Sequence, residues 1–364
     1  VPRLSRRTLL SLPALLPGLP SLACTPHRSE APVAGSRVMV VINANSVESR
    51  TIGNYYAEKR QIPLENILRV TCVTKDEWKR IEYQTQLETF VRQYLNRNPA
   101  IDFLVLTRGI PFRISDFGVE GGYSPDSILT TCLLPERPKE ILPNPYKGKA
   151  EPFSRQKTGL VLVTRLDGTS VETAKKLVDS SVNAKPVLGP FYLRDSFVLG
   201  MQPAQKMLTE KGYKVEWISG FNNAKYPQYE GSGGPFMCHF GAGPHDTQFT
   251  EEEYAAIRFL PGALGELTWS ASAAGLRNRK SQGNIAIMAE NGAAGVMGFV
   301  SEPYADAISD PAIVLERYTR GYNLAESFYM GSPFLHWKNL LLGDPLCAPY
   351  TKPGQTLPSA AKAV

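Results

Sequence analysis

The 364-residue chain predicts an α/β fold, a doubly wound and mainly parallel sheet with helices on both faces. Three observations carry that prediction. Short β-branched apolar runs alternate with amphipathic segments along most of the chain. The runs are continuously apolar, as strands buried on both faces must be. Most of them end in small or polar residues, where open α/β sheets turn and where they bind ligands.

The elements follow in order. Residues 38–42 form the first apolar run, and Asn43-Ala44-Asn45-Ser46 supplies a polar turn and a helix cap. Ile52, Tyr55, Tyr56 and Lys59 recur at near-helical spacing, which predicts a helix over 47–60. A second strand is predicted at 67–70. Lys75 or Asp76 then opens a long helix to about Asn96, with Tyr83, Leu87, Phe90, Val91 and Leu95 on its apolar face. A third strand is predicted at 101–106. Residues 107–157 break the rhythm with scattered glycines and prolines, a long irregular insertion of the kind that carries function or motion.

Strands are predicted again at 159–163, 197–199, 213–218, 235–240, 264–269 and 295–300. Helices are predicted at 170–182, 201–211, 250–259, 284–291 and, in two pieces broken near Gly321, 308–329. Gly231-Ser232-Gly233-Gly234 reads as a hinge. The last apolar run, from Trp337 to Leu342, stops at Gly343-Asp344-Pro345. There glycine permits positive φ, aspartate bonds its own backbone and proline ends the strand. No repeat and no second core is evident, so residues 37–350 read as one domain and 351–364 as a disordered tail.

The first 24 residues read as an address. Arg3, Arg6 and Arg7 precede a Leu- and Pro-rich apolar stretch and a small residue before Cys24. Ser5–Leu10 resembles a twin-arginine export signal, and Leu22-Ala23-Cys24 the end of a lipobox, with Cys24 the lipidation site. Residues 25–36 are a polar tether. The expectation is an exported protein, periplasmic or in the outer cell envelope, held at the membrane by a lipid if Cys24 is modified. Removing the three arginines lowers the formal charge from +6 to about +3, too small an excess to point to nucleic acid.

Composition is that of an ordinary globular protein, 43% hydrophobic and 20% charged. The five cysteines form no CxxC pair and histidine is scarce, so no zinc or other metal site is expected, and no cofactor. With Cys24 lipidated, the other four either remain thiols or form up to two disulfides.

Candidate chemistry lies just after the strands. Cys238-His239 pairs a nucleophile type with a base type, but neighbours on one strand face opposite ways. The plainer readings are a small core residue and a structural histidine. Gly241 and Gly243 would let a backbone approach a ligand. Trp269 and Ser270-Ala271-Ser272 follow the 264–269 strand, where Ser272 is either a turn former or a nucleophile that needs a base. Asp126, in a rigid Pro-Asp-Ser turn, either ligates a cation or holds its loop by bonding the backbone, and Glu302-Pro303-Tyr304, after the 295–300 strand, is a second such segment. Asp126 and Glu302 are the further substrate-binding candidates.

In order, these blocks resemble the gingipain-type cysteine peptidases of the caspase–hemoglobinase fold. The resemblance rests on Gly109-Ile110-Pro111, Pro125-Asp126-Ser127, Thr164–Gly168 with Glu172 and Lys175-Lys176, His239–Gly243, Ser272–Gly275 and Gly343-Asp344-Pro345. The opening VINANS block and the closing EPYADAI, RGYNLAESFY and GDPLCAPY blocks are similar to a family of exported bacterial proteins to which no activity attaches. The peptidase resemblance implies a His-Gly pair and a Cys-x-x-Gly block. This chain offers Phe240-Gly241 or Ala242-Gly243 for the first and Ser272 for the second. The expectation is therefore a degenerate caspase-like domain that binds an envelope peptide or glycan. The alternative is a hydrolase with a Ser/His or Cys/His centre built from Ser272 or Cys238 with His239 or His245.

Overall fold

The computed structural model describes residues 34–119, 121–221, 235–243, 250–279 and 284–351. The leader with Cys24, the hinge at 231–234, His245 and residues from 352 onward lie outside the described residues.

Ten strands form one sheet: β1 Val38–Asn43, β2 Ile67–Val70, β3 Phe103–Thr107, β4 Leu162–Leu166, β5 Phe191–Arg194, β6 Val215–Ile218, β7 Phe236–Ala242, β8 Phe259–Thr268, β9 Gly295–Phe299 and β10 Asn339–Gly343. Their order across the sheet is β2-β1-β3-β4-β10-β9-β8-β7-β5-β6. All neighbours run parallel except β10, which is antiparallel to β9. The sheet thus consists of two sequence-contiguous halves, β1–β4 and β5–β9, with the last strand between them.

Helices cover both faces. On one, Met39, Val41, Leu104 and Leu106 share a core with Tyr83, Leu87, Val91 and Leu95 of the helical stretch 80–97 and with Ile128 and Leu129. On the other, Val38, Val40, Ile42, Leu162 and Leu166 share a core with Ile52 and Tyr56 of helix Val47–Arg60 and with Leu177 and Val178 of helix Val171–Val182. Residues 107–157 build no core of their own. Phe112, Tyr146 and Phe153 join one cluster, and Ile114, Tyr123 and Ile128 the other.

Local signals explain most boundaries. Ser46, Ser124, Ser170, Asp310 and Asn323 each accept a hydrogen bond from a backbone amide in the first turn of their own helix. Gly321, at φ +108°, ends helix Pro311–Arg320, and Asn323 restarts the chain as Leu324–Gly331 with a capping box to Glu326. After β10, Gly343 has φ +131°, and a Cβ there would stand 2.5 Å from the Ala294 carbonyl oxygen. Asp344 is buried and accepts from the Tyr56 hydroxyl (2.8 Å) and the Arg60 Nε (2.5 Å), so this turn fastens helix Val47–Arg60 to the central strand.

Three sequence expectations are corrected. The fifth strand is Phe191–Arg194, not 197–199. The predicted helix from residue 75 begins only at Arg80, because Glu77–Trp78 pairs with Arg113–Ile114. Phe90, assigned to that helix's apolar face, is 45% exposed, because a π-helical turn at Gln84–Glu88 shifts the phase. Cys72, Cys132, Cys238 and Cys347 are free and buried.

Candidate functional site

The carboxyl ends of the strands present two regions of opposite character. At the end of β4, Arg165 is fully buried and donates to both carboxylate oxygens of Asp126, at 3.0 and 2.6 Å, and to the carbonyls of Ile110 and Pro111. Asp167, just past β4, accepts from the Arg277 guanidinium at 2.6 Å and lies 3.5 Å from that of Arg108. Burial pushes the Asp126 carboxyl up despite Arg165. Burial also opposes ionisation of Asp167, but Arg277, Arg165 and Arg108 outweigh it and hold the carboxyl below its ordinary range. Arg277 also reaches Asp76 (2.8 Å) and the Ile110 carbonyl (2.8 Å), so the segment after β8 is clamped to the ends of β3 and β4. Asp126, read from sequence as substrate-binding, is taken up by this network and faces no cleft.

The second region is a cleft of about 240 Å³ over the ends of β8 and β9. Thr268, Trp269 and Ser270 form one wall, Glu302, Pro303 and Tyr304 the other, and Phe197 comes from the loop after β5. Two residues singled out from sequence, Trp269 and Glu302, meet here. Tyr304 has φ +66° and ψ 151°, a region that costs a non-glycine residue about 1–3 kcal/mol. It is held by stacking on Trp337, with ring centroids 5.7 Å apart, yet it stays 47% exposed. Trp337 Nε1 donates to the Pro303 carbonyl and Lys338 Nζ to the Glu302 carbonyl, at 3.1 and 2.7 Å, fixing that wall from below.

The other sequence candidates lie elsewhere. Cys238 is sealed in the core with Sγ 3.6 Å from the Tyr192 carbonyl oxygen, and burial pushes its thiol far above the ordinary range. His239 is buried mid-strand against the rings of Tyr192 and Tyr254, and burial and Arg194 lower it to about 3. It pairs with Gly265, three rows before the Ala242–Thr268 pair at the strand ends, roughly 10 Å at the rise of a strand. The Ser272 Oγ is buried and accepts from the Phe299 amide at 3.3 Å. The three catalytic candidates are therefore not brought together. Gly241 lies within the sheet ladder, where a Cβ would stand 1.8 Å from the Arg194 carbonyl oxygen, so its role is close strand packing. Gly243 sits past the end of β7, over Leu267.

Sequence reading marked the segments that hold Ser270 and Tyr304 but singled out Trp269, Ser272 and Glu302 in them. It missed Phe197, which was absorbed into a strand that does not exist.

These features define an α/β domain of peptidase-like fold. A solved protease structure superposes on it with a TM-score of 0.50 at 12% identity, covering 87% of this chain and 79% of that one. No protein-family profile matches the chain, and no curated protein does.

Proposed function

We propose that this is an exported cell-envelope protein whose peptidase-like domain binds extended peptides without cleaving them. The observation that carries the reading is the cleft at the end of β8. It is walled by the rings of Phe197, Trp269 and Tyr304, and among the described residues no thiol or imidazole lines it. Cys238 and His239 are enclosed in the core, and the Ser272 hydroxyl is engaged by a backbone amide. A neutral imidazole with neither nitrogen hydrogen-bonded to a hydroxyl or thiol among the described residues activates none of them. Aromatic walls suit an apolar or aromatic side chain, and the exposed Glu302 suits a Lys or Arg beside it.

The test is tryptophan fluorescence during titration with extended peptides carrying an aromatic residue next to Lys or Arg. Saturable binding that Trp269→Ala abolishes is expected. Saturation by neutral oligosaccharides in place of peptides would replace the peptide with a glycan. The rival hydrolase draws on Ser272, Cys238 and His245. Turnover of Arg-, Lys- or Asp-directed peptide reporters that vanishes in a Cys238→Ala, Ser272→Ala, His245→Ala variant, with folding intact, would establish the enzyme instead. For the address, Arg6→Lys with Arg7→Lys is expected to retain precursor inside the cell, and Cys24→Ala to release a soluble form.

A further inference from the structure

A second cavity, of about 460 Å³, opens on the face of the first sheet half and shares no lining residue with the aromatic cleft. Its lining includes Tyr83, Glu88, Phe117 and His336, with Arg80, Arg137 and Lys139 as its basic groups. The volume suits a ligand the size of a monosaccharide or somewhat larger.

The chemistry of the cavity is unbalanced in a specific way. Tyr83 and His336 are 2% and 1% exposed, yet the tyrosine hydroxyl and the histidine Nε2 have no hydrogen-bond partner among the described residues. Buried polar groups are almost always paired, and each unpaired one costs about 1–3 kcal/mol. The Thr131 hydroxyl has one proton and two acceptors in reach, the Ile128 carbonyl at 3.1 Å and His336 Nδ1 at 2.7 Å. Burial, with Arg137 and Arg80, lowers His336 to about 4, so at neutral pH the ring is uncharged. Its Nε2 accepts if the ring proton sits on Nδ1 and donates if Thr131 gives its own proton to Nδ1. The cavity is thus lined by a residue with an unpaired ring nitrogen and one with an unpaired hydroxyl, and a ligand hydroxyl, which both donates and accepts, suits either.

Three cations stand around these groups. Arg137 pairs with the buried Glu88. Arg80 lies over the Phe117 ring at 4.4 Å, and its backbone amide donates to the exposed Asp116. Lys139 is exposed. Two carboxylates against three cations leave an excess positive charge.

We propose that this cavity binds a small hydroxylated anion, an acidic monosaccharide such as a uronate or a sugar phosphate. The anionic group meets Arg80 and Lys139, one sugar hydroxyl pairs with His336 Nε2, another with Tyr83, and the ring faces Phe117. The site depends on nothing in the peptide cleft.

The experiment is calorimetric titration of the intact protein with glucuronate, glucose 6-phosphate, glucose and inorganic phosphate, on wild type, Tyr83→Phe, and Arg80→Gln with Lys139→Ala. Both acidic sugars are expected to bind, with glucose and phosphate each at least about tenfold weaker. Each variant is expected to lose roughly five- to tenfold, the scale of one buried hydrogen bond or ion contact. Tyr83→Phe is also expected to raise the melting temperature of the free protein, because it removes an unpaired buried hydroxyl. A purely structural tyrosine would give the opposite shift. An oligouronate that binds more tightly than free glucuronate identifies a glycan chain end as the source, and the reverse a free sugar acid; either supports the site. Phosphate as tight as glucose 6-phosphate, no acidic sugar bound at about 10 mM, or affinities unmoved by both variants would overturn it.

Discussion

The two halves of the sheet treat the same topological position differently. At the end of β4 the polar groups are consumed, since Arg165, Asp126 and Asp167 are buried and satisfy one another together with Arg277, which links them to Asp76 nearer the surface. At the ends of β8 and β9 the chain leaves rings uncovered and keeps Tyr304 in an unfavourable backbone conformation. A strand end in an open α/β sheet is therefore not a binding site merely because it is polar. Density of charge marked the closed end here, and exposed aromatic surface marked the open one.

The largest effect expected from breaking this contrast is on stability. Arg165→Met leaves Asp126 buried without its partner and is expected to cost about 3–5 kcal/mol in urea unfolding. Adding Asp126→Asn should recover a large part of it. Trp269→Ala is expected to leave the fold standing and to abolish peptide binding. If Arg165→Met proved neutral, the closed end would not be the structural latch described.

Titration sharpens the contrast next. Asp167 is held low by its guanidinium neighbours, so the stability it contributes is present above the ordinary carboxylate range and lost as pH falls. Glu266 on β8 is buried with only Oε1 bonded, at 3.1 Å from the Ser309 amide, and burial raises it to about 7. Its contribution has the opposite sign. The folded state holds a proton that the unfolded state gives up, so stability is full in mild acid and declines as pH rises through about 7. Glu266→Gln is expected to add on the order of 2–3 kcal/mol at pH 8 and nothing at pH 4. An unchanged pH profile in that variant would refute the assignment.

The smallest effect belongs to the rim. Glu302→Gln is expected to lower affinity for basic peptides roughly two- to fivefold and to flatten its salt dependence, leaving neutral peptides unaffected.

Much of the fold was legible because buried parallel strands are written as β-branched runs and because Ser46 and Ser170 announce helix starts, whereas the helix Pro125–Thr130 that Ser124 caps lay in a stretch read as irregular. The strand Phe191–Arg194 was not, since four residues carry no period, and the apolar run Phe197-Val198-Leu199 nearby read more like a strand than Tyr192 and Arg194 did. The site was legible only in part. Trp269 and Glu302 follow strands and could be marked. A loop-holding role for Asp126 was in view, but its partner was not. Arg165 lies 39 positions away, between Thr164 and Leu166 in a buried strand. The cavity around His336 was equally hidden, because Tyr83, Phe117, Arg137 and His336 converge only through tertiary folding.

The position of β10 has a consequence for how the protein comes into being. Until residues 339–343 are made, β4 and β9 each present a bare edge with unpaired amides and carbonyls. Two partial sheets emerge from the ribosome in turn, and neither can close on the other. Strand β10, with Asp344 just past it reaching back to Tyr56 and Arg60, is also tied to helix Val47–Arg60 from the other end of the described residues. Assembly of this domain therefore waits until residues 339–343 have been made, and a chain that stops short of Asn339 presents two sticky edges in place of one continuous sheet.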